Sequence, residues 1–179
     1  MEQRNYPIDE YFIIEEMSEI RYEYIDGAII AMPGGTPQHN LIEQNLARAF
    51  DALCSGCEAF LAGMRIKTPF GSYTYPDVML VCGALSLSGD RLETVTNPLV
   101  IAEVLSEATR DYDRGQKFDI CSTISTLRDY LLVDQYAVDV EHRFFQDARW
   151  QSKRYTSRED AIPLTGVEVV LPVRAIYDH

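Results

Sequence analysis

The segment Asp9-Glu10-Tyr11-Phe12-Ile13-Ile14-Glu15-Glu16-Met17 places apolar side chains at helical spacing between acids, which predicts a short amphipathic helix capped by Asp9. Arg21 to Ile25 then alternates, Asp26-Gly27 offers a tight turn, and Ala28 to Met32 returns, the pattern of a β-hairpin. Pro33-Gly34-Gly35-Thr36-Pro37 breaks the chain. From His39 to Leu53 the apolar residues Leu41, Ile42, Leu46, Ala49, Phe50 and Leu53 keep helical spacing. Residues 58–67 read as a strand, residues 68–72 as a turn, residues 73–81 as a second strand, and residues 83–97 as a loop. Leu99 to Leu105 is almost wholly apolar, as befits a strand buried on both faces. A helix over residues 111–122 and a strand over residues 130–133 complete a strand–helix–strand unit, which predicts a parallel pair. Residues 137–145, 149–155 and 167–173 read as an antiparallel meander. The expectation is one α+β domain over residues 1–179, a central mixed β-sheet flanked by helices.

Two of these apolar runs hold a carboxylate that does not belong there. Asp77 follows Pro76 at the entrance to one strand, and Glu103 lies within Val100-Ile101-Ala102-Glu103-Val104-Leu105. A charge inside a buried strand costs several kcal/mol unless it is paired or bound to a metal. Lys117 follows on the next predicted helix, which must fold back along the strand carrying Glu103. Two carboxylates and an ammonium suit a divalent ion with oxygen ligands, Mg2+ or Mn2+, acting on a phosphate ester. The bland alternatives are a loop-capping Asp77 and a solvated Lys117.

Composition fits a globular protein, with 46% hydrophobic and 25% charged residues. No apolar run approaches the ~20 residues that span a bilayer, and the opening Met1-Glu2-Gln3-Arg4-Asn5 lacks the layout of a signal peptide, so a cytoplasmic protein is expected. The net charge of −12 weighs against nucleic acid as a partner, yet residues 61–128 carry 8 acidic and 7 basic side chains, close to neutrality. Phosphate binding follows the local field rather than the total. Arg65, Lys67, Arg110 and Arg114 are candidate phosphate contacts. Cys54 and Cys57 form a C-x-x-C without a second pair at zinc spacing, while Cys82 and Cys121 read as small core residues.

Pro76-Asp77 and Glu103 resemble the acidic elements of the PD-(D/E)XK nuclease superfamily, although Leu105 stands where its lysine is usual. The likeness is nearer to the Uma-type restriction endonucleases, in which the lysine has moved to the following helix. It rests on Tyr22-Glu23-Tyr24-Ile25-Asp26-Gly27, His39, Pro76-Asp77, Glu103-Val104-Leu105-Ser106 and Asp113-Arg114-Gly115-Gln116-Lys117. The resemblance implies a restriction-endonuclease-like fold and a Mg-dependent endonuclease acting on DNA. It further implies metal on Asp77 and Glu103, catalytic assistance from Lys117, support from Glu23 out of the first hairpin, and a supporting place for His39. Two strands of a duplex call for two active sites, hence a homodimer. One departure stands out: Ser106-Glu107-Ala108 replaces the usual Ser-Pro-Ser, adding an acid. That acid and the overall charge motivate a second reading, a non-catalytic binding module that keeps the nuclease fold.

Overall fold

The computed structural model describes residues 5–89 and 91–178. Helix α1 (Ile8–Met17) starts behind Pro7 and buries Tyr11 and Phe12. Asp9 stands in its first turn, favourable for the helix dipole, but the cap position is Pro7 and no side chain caps it. Strands β1 (Tyr22–Ile25) and β2 (Ala28–Ala31) form the expected hairpin, with both turn residues in the left-handed region, Asp26 at φ 50 and Gly27 at φ 82. Helix α2 (Pro37–Leu53) begins two residues before His39, because Pro37 suits the first helical position and the Thr36 hydroxyl accepts the His39 N–H at 3.1 Å. It buries Ile42, Leu46, Ala49 and Phe50 as one stripe.

The strand expected over 58–67 is two strands, β3 (Cys57–Leu61) and β4 (Arg65–Lys67). That over 73–81 is likewise two, β5 (Tyr73–Thr74) and β6 (Val78–Cys82), interrupted at Pro76, which has no N–H for a ladder. The expected loop over 83–97 contains a hairpin, β7 (Leu87–Ser88) and β8 (Arg91–Val95). Strand β9 (Val100–Leu105) is followed by α3 (Arg110–Arg114) and α4 (Gln116–Cys121), two short helices where one was expected, broken at Gly115. Then come β10 (Asp129–Asp134), β11 (Val140–Gln146), β12 (Arg149–Tyr155), β13 (Ala161–Leu164), β14 (Val169–Pro172) and α5 (Arg174–Tyr177).

The strands divide between two six-stranded sheets, β2-β1-β5-β4-β8-β7 and β12-β11-β10-β9-β6-β3, and a small pair, β13-β14. Both large sheets are mixed, since β9 runs parallel to β10, as the crossover implied, and β4 parallel to β8. The last strand of the expected meander pairs with β13 instead of continuing the β11–β12 ladder. Along β9 the alternation is strict: Val100, Ala102 and Val104 pack with the stripe of α2, whereas Ile101 and Leu105 pack with Cys121, Ile124 and Leu127. Glu103 shares the second face, toward α4.

Cys57 and Cys82 sit opposite one another in the β3–β6 ladder and are joined by a disulfide. Cys57 is therefore not partnered within the C-x-x-C, and Cys82 is not simply a core filler; Cys54 and Cys121 are free and buried. Among the described residues no helix is long and apolar enough to cross a membrane.

Candidate active site at the sheet junction

The chain leaves the first sheet at Thr74 and enters the second at Val78, so Tyr75-Pro76-Asp77 is a crossover without a ladder of its own. Strand β1 lends Glu23 from the first sheet and β9 lends Glu103 from the second. The β6–β9 register pairs Val78 with Ala102, so one further step along the antiparallel ladder sets Asp77 against Glu103. The sequence alone could not show this adjacency.

The carboxylates take over the missing ladder bonds. Glu23 Oε1 accepts the Tyr75 N–H at 3.1 Å and the Thr74 hydroxyl, Glu103 Oε2 accepts the Asp77 N–H at 3.4 Å, and Asp77 Oδ2 accepts the Val104 N–H at 2.7 Å. The Tyr112 hydroxyl donates to the other oxygen of Glu23. Lys117 closes the group: Nζ lies 2.9 Å from Glu103 Oε2, 3.0 Å from the Tyr75 carbonyl, 3.4 Å from Glu23 Oε1 and 3.9 Å from Asp113 Oδ1. All four expected site residues thus meet, with Glu23, Glu103 and Lys117 each at most 3% exposed.

Sequence reasoning gave no site role to Asp113, named only within the motif around Lys117, and passed over Tyr112. The signal for Asp113 was its i,i+4 relation to Lys117, which survives the helix break at Gly115. For Tyr112 no signal existed, because its partner is 89 residues away.

His39 lies beside this group, with Nε2 at 3.2 Å from Asp77 Oδ2 and Nδ1 at 3.6 Å from Glu43 Oε1. Glu43, another residue the sequence reading passed over, is again one helical turn away. Of the candidate phosphate contacts, Arg65 is buried inward on Thr94 and Glu93, Arg110 lies 3.8 Å from Asp134 and Arg114 3.5 Å from Glu141. None of these three points freely outward, and Lys67 lies over the Tyr73 ring.

The electrostatics leave the site short of positive charge. Burial pushes the Glu103 carboxyl well above its ordinary range; Lys117 works against the shift, while Asp77 and Asp113 add to it. Burial likewise raises Asp113. Burial opposes a charged Lys117, but Glu103, Glu23 and Asp113 outweigh it and hold the ammonium above its ordinary value. For His39, burial opposes the charge, and the neighbouring Asp77 and Glu43 carboxylates reverse it, lifting the ring to about 10.

Asp77, Glu103, Glu23, Asp113, Lys117 and His39 all line a cavity of about 480 Å³, walled on one side by the Ile30–Thr36 segment and on the other by residues 106–113. Among the described residues, Glu103 Oε1 is buried without a hydrogen-bond partner. A buried, unpartnered carboxylate oxygen among excess negative charge fits a divalent cation with oxygen ligands. A second set, His39, Glu43 and Asp77, also brings one ligand atom from each residue within 4.8 Å of the others.

Comparison with known proteins agrees with this architecture. The sequence profile of a family described as "Uma2: Putative restriction endonuclease" matches residues 8–174. Two uncharacterized proteins of Synechocystis sp. (strain ATCC 27184 / PCC 6803 / Kazusa) are similar. The protein sll1609 is 38% identical over 136 residues, 74% of this chain and 77% of its own length. The protein slr1290 is 33% identical over 175 residues, 94% of this chain and 90% of its own. The crystal structure of a putative nuclease belonging to DUF820 from Anabaena variabilis ATCC 29413 has TM-score 0.78 at 18% identity, covering 95% of this chain and 96% of that one. The mixed α+β, restriction-endonuclease-like fold expected from the sequence is the one observed.

Proposed function

The chain belongs to the Uma2 family, described as "Putative restriction endonuclease", and on that premise we propose a divalent-metal-dependent endonuclease that hydrolyses DNA phosphodiester bonds. One observation carries the reading: Glu103, buried inside an apolar strand, presents an unpartnered oxygen beside Asp77 and Lys117 in the lining of the 480 Å³ cavity. Asp77 and Glu103 would hold the ion, Mg2+ or Mn2+. Such an ion, when bound, polarises a phosphate and lowers the pKa of water.

The chain's own residues do the rest. Lys117 fixes the Glu103 carboxylate by a 2.9 Å bond and sets a permanent positive charge where negative charge develops on the phosphate. Glu23 draws the same ammonium toward the first sheet at 3.4 Å and so orients it. The Ile30–Thr36 segment forms part of the cavity wall beside these groups. The compartment that this reading implies is the cytoplasm, where DNA is available and where the Cys57–Cys82 pair would face reducing conditions.

The test is nicking of supercoiled plasmid in Mg2+ or Mn2+. Loss of an outer contact to a metal ligand already costs about 10–100-fold, so Asp77→Asn and Glu103→Gln are expected to lose at least about 100-fold. Wild-type rates in both variants would sink the mechanism. Cutting both strands of a duplex needs two such sites, so the protein is expected to sediment as a homodimer when it linearises plasmid. Clean linearisation by a strictly monomeric protein would remove the dimer from the proposal.

A further inference from the structure

Cys57 is the first residue of β3 and Cys82 the last of β6, and the disulfide joins them straight across the antiparallel ladder. Between them the chain leaves the second sheet after Leu61, builds β4 and β5 in the first, and returns through Tyr75-Pro76-Asp77 to β6. The bond therefore closes the whole excursion that carries the crossover, at a sequence separation of 25. It also ties down β3, the outermost strand of its sheet, whose ladder neighbour is β6. Both bonded cysteines are half-buried, whereas the free thiols Cys54 and Cys121 are buried. A reductant in solvent meets the bond first.

The strand register does not rest on the bond alone. Glu58–Val81, Ala59–Leu80, Phe60–Met79 and Leu61–Val78 continue the ladder, and beyond it the Gly83 N–H donates to the Gly56 carbonyl at 3.0 Å. Two thiols released there stay opposite one another, placed to rejoin. Cys54, three residues before Cys57, is a poor competitor near neutral pH. Burial pushes its thiol up and Asp51 adds to the shift, so little of the attacking thiolate forms.

We propose that Cys57 and Cys82 form a reversible two-electron redox switch, worked by a dithiol reductant, that sets how firmly β3 is held on β6. A thiolate of the reductant attacks one sulfur of the bond and forms a mixed disulfide, which the reductant's second thiol resolves. The protein gains two electrons and two protons as two thiols, and the reductant leaves as its own disulfide. In a reducing compartment such a bond is transient rather than permanent. The inference rests on the nuclease reading only for that compartment.

The experiment treats the native full chain with dithiothreitol near neutral pH and then with iodoacetamide. Cys57 and Cys82 are expected to take the label together, with Cys54 and Cys121 unlabelled until urea is added. Oxidised dithiothreitol is expected to restore the unlabelled pair. The reduced chain is expected to melt about 4–16 °C lower. Its β3 amides are expected to exchange with solvent about tenfold faster or more. Cys57→Ser is expected to match the reduced chain and to lose all response to dithiothreitol, which separates the switch from any other effect of reductant. A bond that resists dithiothreitol until the chain unfolds is a fixed staple and overturns the switch. So does a fully reduced wild type with unchanged melting and exchange. None of these readouts needs catalysis, so failure of the nuclease reading registers separately, as no plasmid nicking in either redox state.

Discussion

Lys117→Met is expected to lower stability by about 3–5 kcal/mol near neutral pH, the loss typical of removing one partner from a buried ion pair. In a chain of 179 residues that is a fall of roughly 6–20 °C in Tm. The methionine fills much of the lysine's volume, so the loss is electrostatic: Glu103, Glu23 and Asp113 share one ammonium and lose it together. The pH dependence follows from the same geometry. Burial already holds the Glu103 carboxyl well above its ordinary value, and removing Lys117, which opposes that shift, raises it further. A carboxyl whose folded pKa exceeds its unfolded value of ~4.3 binds protons more tightly in the native state. The variant is therefore most stable below that pH and loses stability as pH climbs toward the folded value. In the wild type the raised Lys117 pKa contributes stability below ~10.4, lost as pH rises through the higher folded value. Urea midpoints at pH 4.5 and pH 7.5 check this: the gap between variant and wild type must widen at the higher pH. Equal midpoints at both would mean that the ammonium carries none of the stability.

Asp129→Ala is expected to cost about 3 kcal/mol or more while leaving nicking activity per folded molecule intact. Asp129 is fully buried at the start of β10. One of its oxygens accepts the Thr165 N–H at 2.8 Å and the Thr165 hydroxyl at 2.9 Å, and lies 2.8 Å from His142 Nε2; the other accepts the Gly166 N–H at 2.7 Å. Alanine would strand the buried His142 nitrogen, worth about 1–3 kcal/mol when unsatisfied, and would give up the bonds to exposed Thr165 and half-buried Gly166, each worth about 0.5–1.5 kcal/mol net because water can replace them. The approach is also close enough that a Cβ on Gly166 would come within 3.1 Å of that second oxygen and 2.9 Å of Leu99. Asp129→Asn keeps the shape but turns one acceptor into a donor, so it should recover only part of the loss. Urea midpoints for the three proteins, read beside plasmid nicking, separate this packing role from the site. A nicking loss as large as that of Glu103→Gln in folded Asp129→Ala would contradict it.

These two residues also mark what the sequence does and does not disclose. Glu103 and Lys117 were legible because a lone acid in an apolar strand and a lysine on the next helix break a pattern set by near neighbours. The parallel β9–β10 pair was legible for a similar reason, since a strand, a helix and a strand follow one another. Asp129 and His142 gave no warning, because their partners are fixed by ladder register and by a loop 36 residues on. The same applies to Cys57, whose true partner Cys82 is chosen by the β3–β6 register and not by the nearby Cys54. The division into two sheets was hidden too. Residues 58–67 and 73–81 each read as one strand, and only non-local ladders decide that each splits and feeds both sheets. Arg65 was misjudged as an outward cation because burial beside Glu93 depends on β8, a strand read as loop.

The bonds from Glu23 to the Tyr75 amide, from Glu103 to the Asp77 amide and from Asp77 to the Val104 amide have an evolutionary consequence. Each acid removed would leave a main-chain donor stranded in the interior, a defect of about 1–3 kcal/mol. A descendant that had abandoned chemistry would still be under selection to retain these acids, simply to remain folded. Dead and living members of such a lineage would carry the same fingerprint, and only turnover would tell them apart.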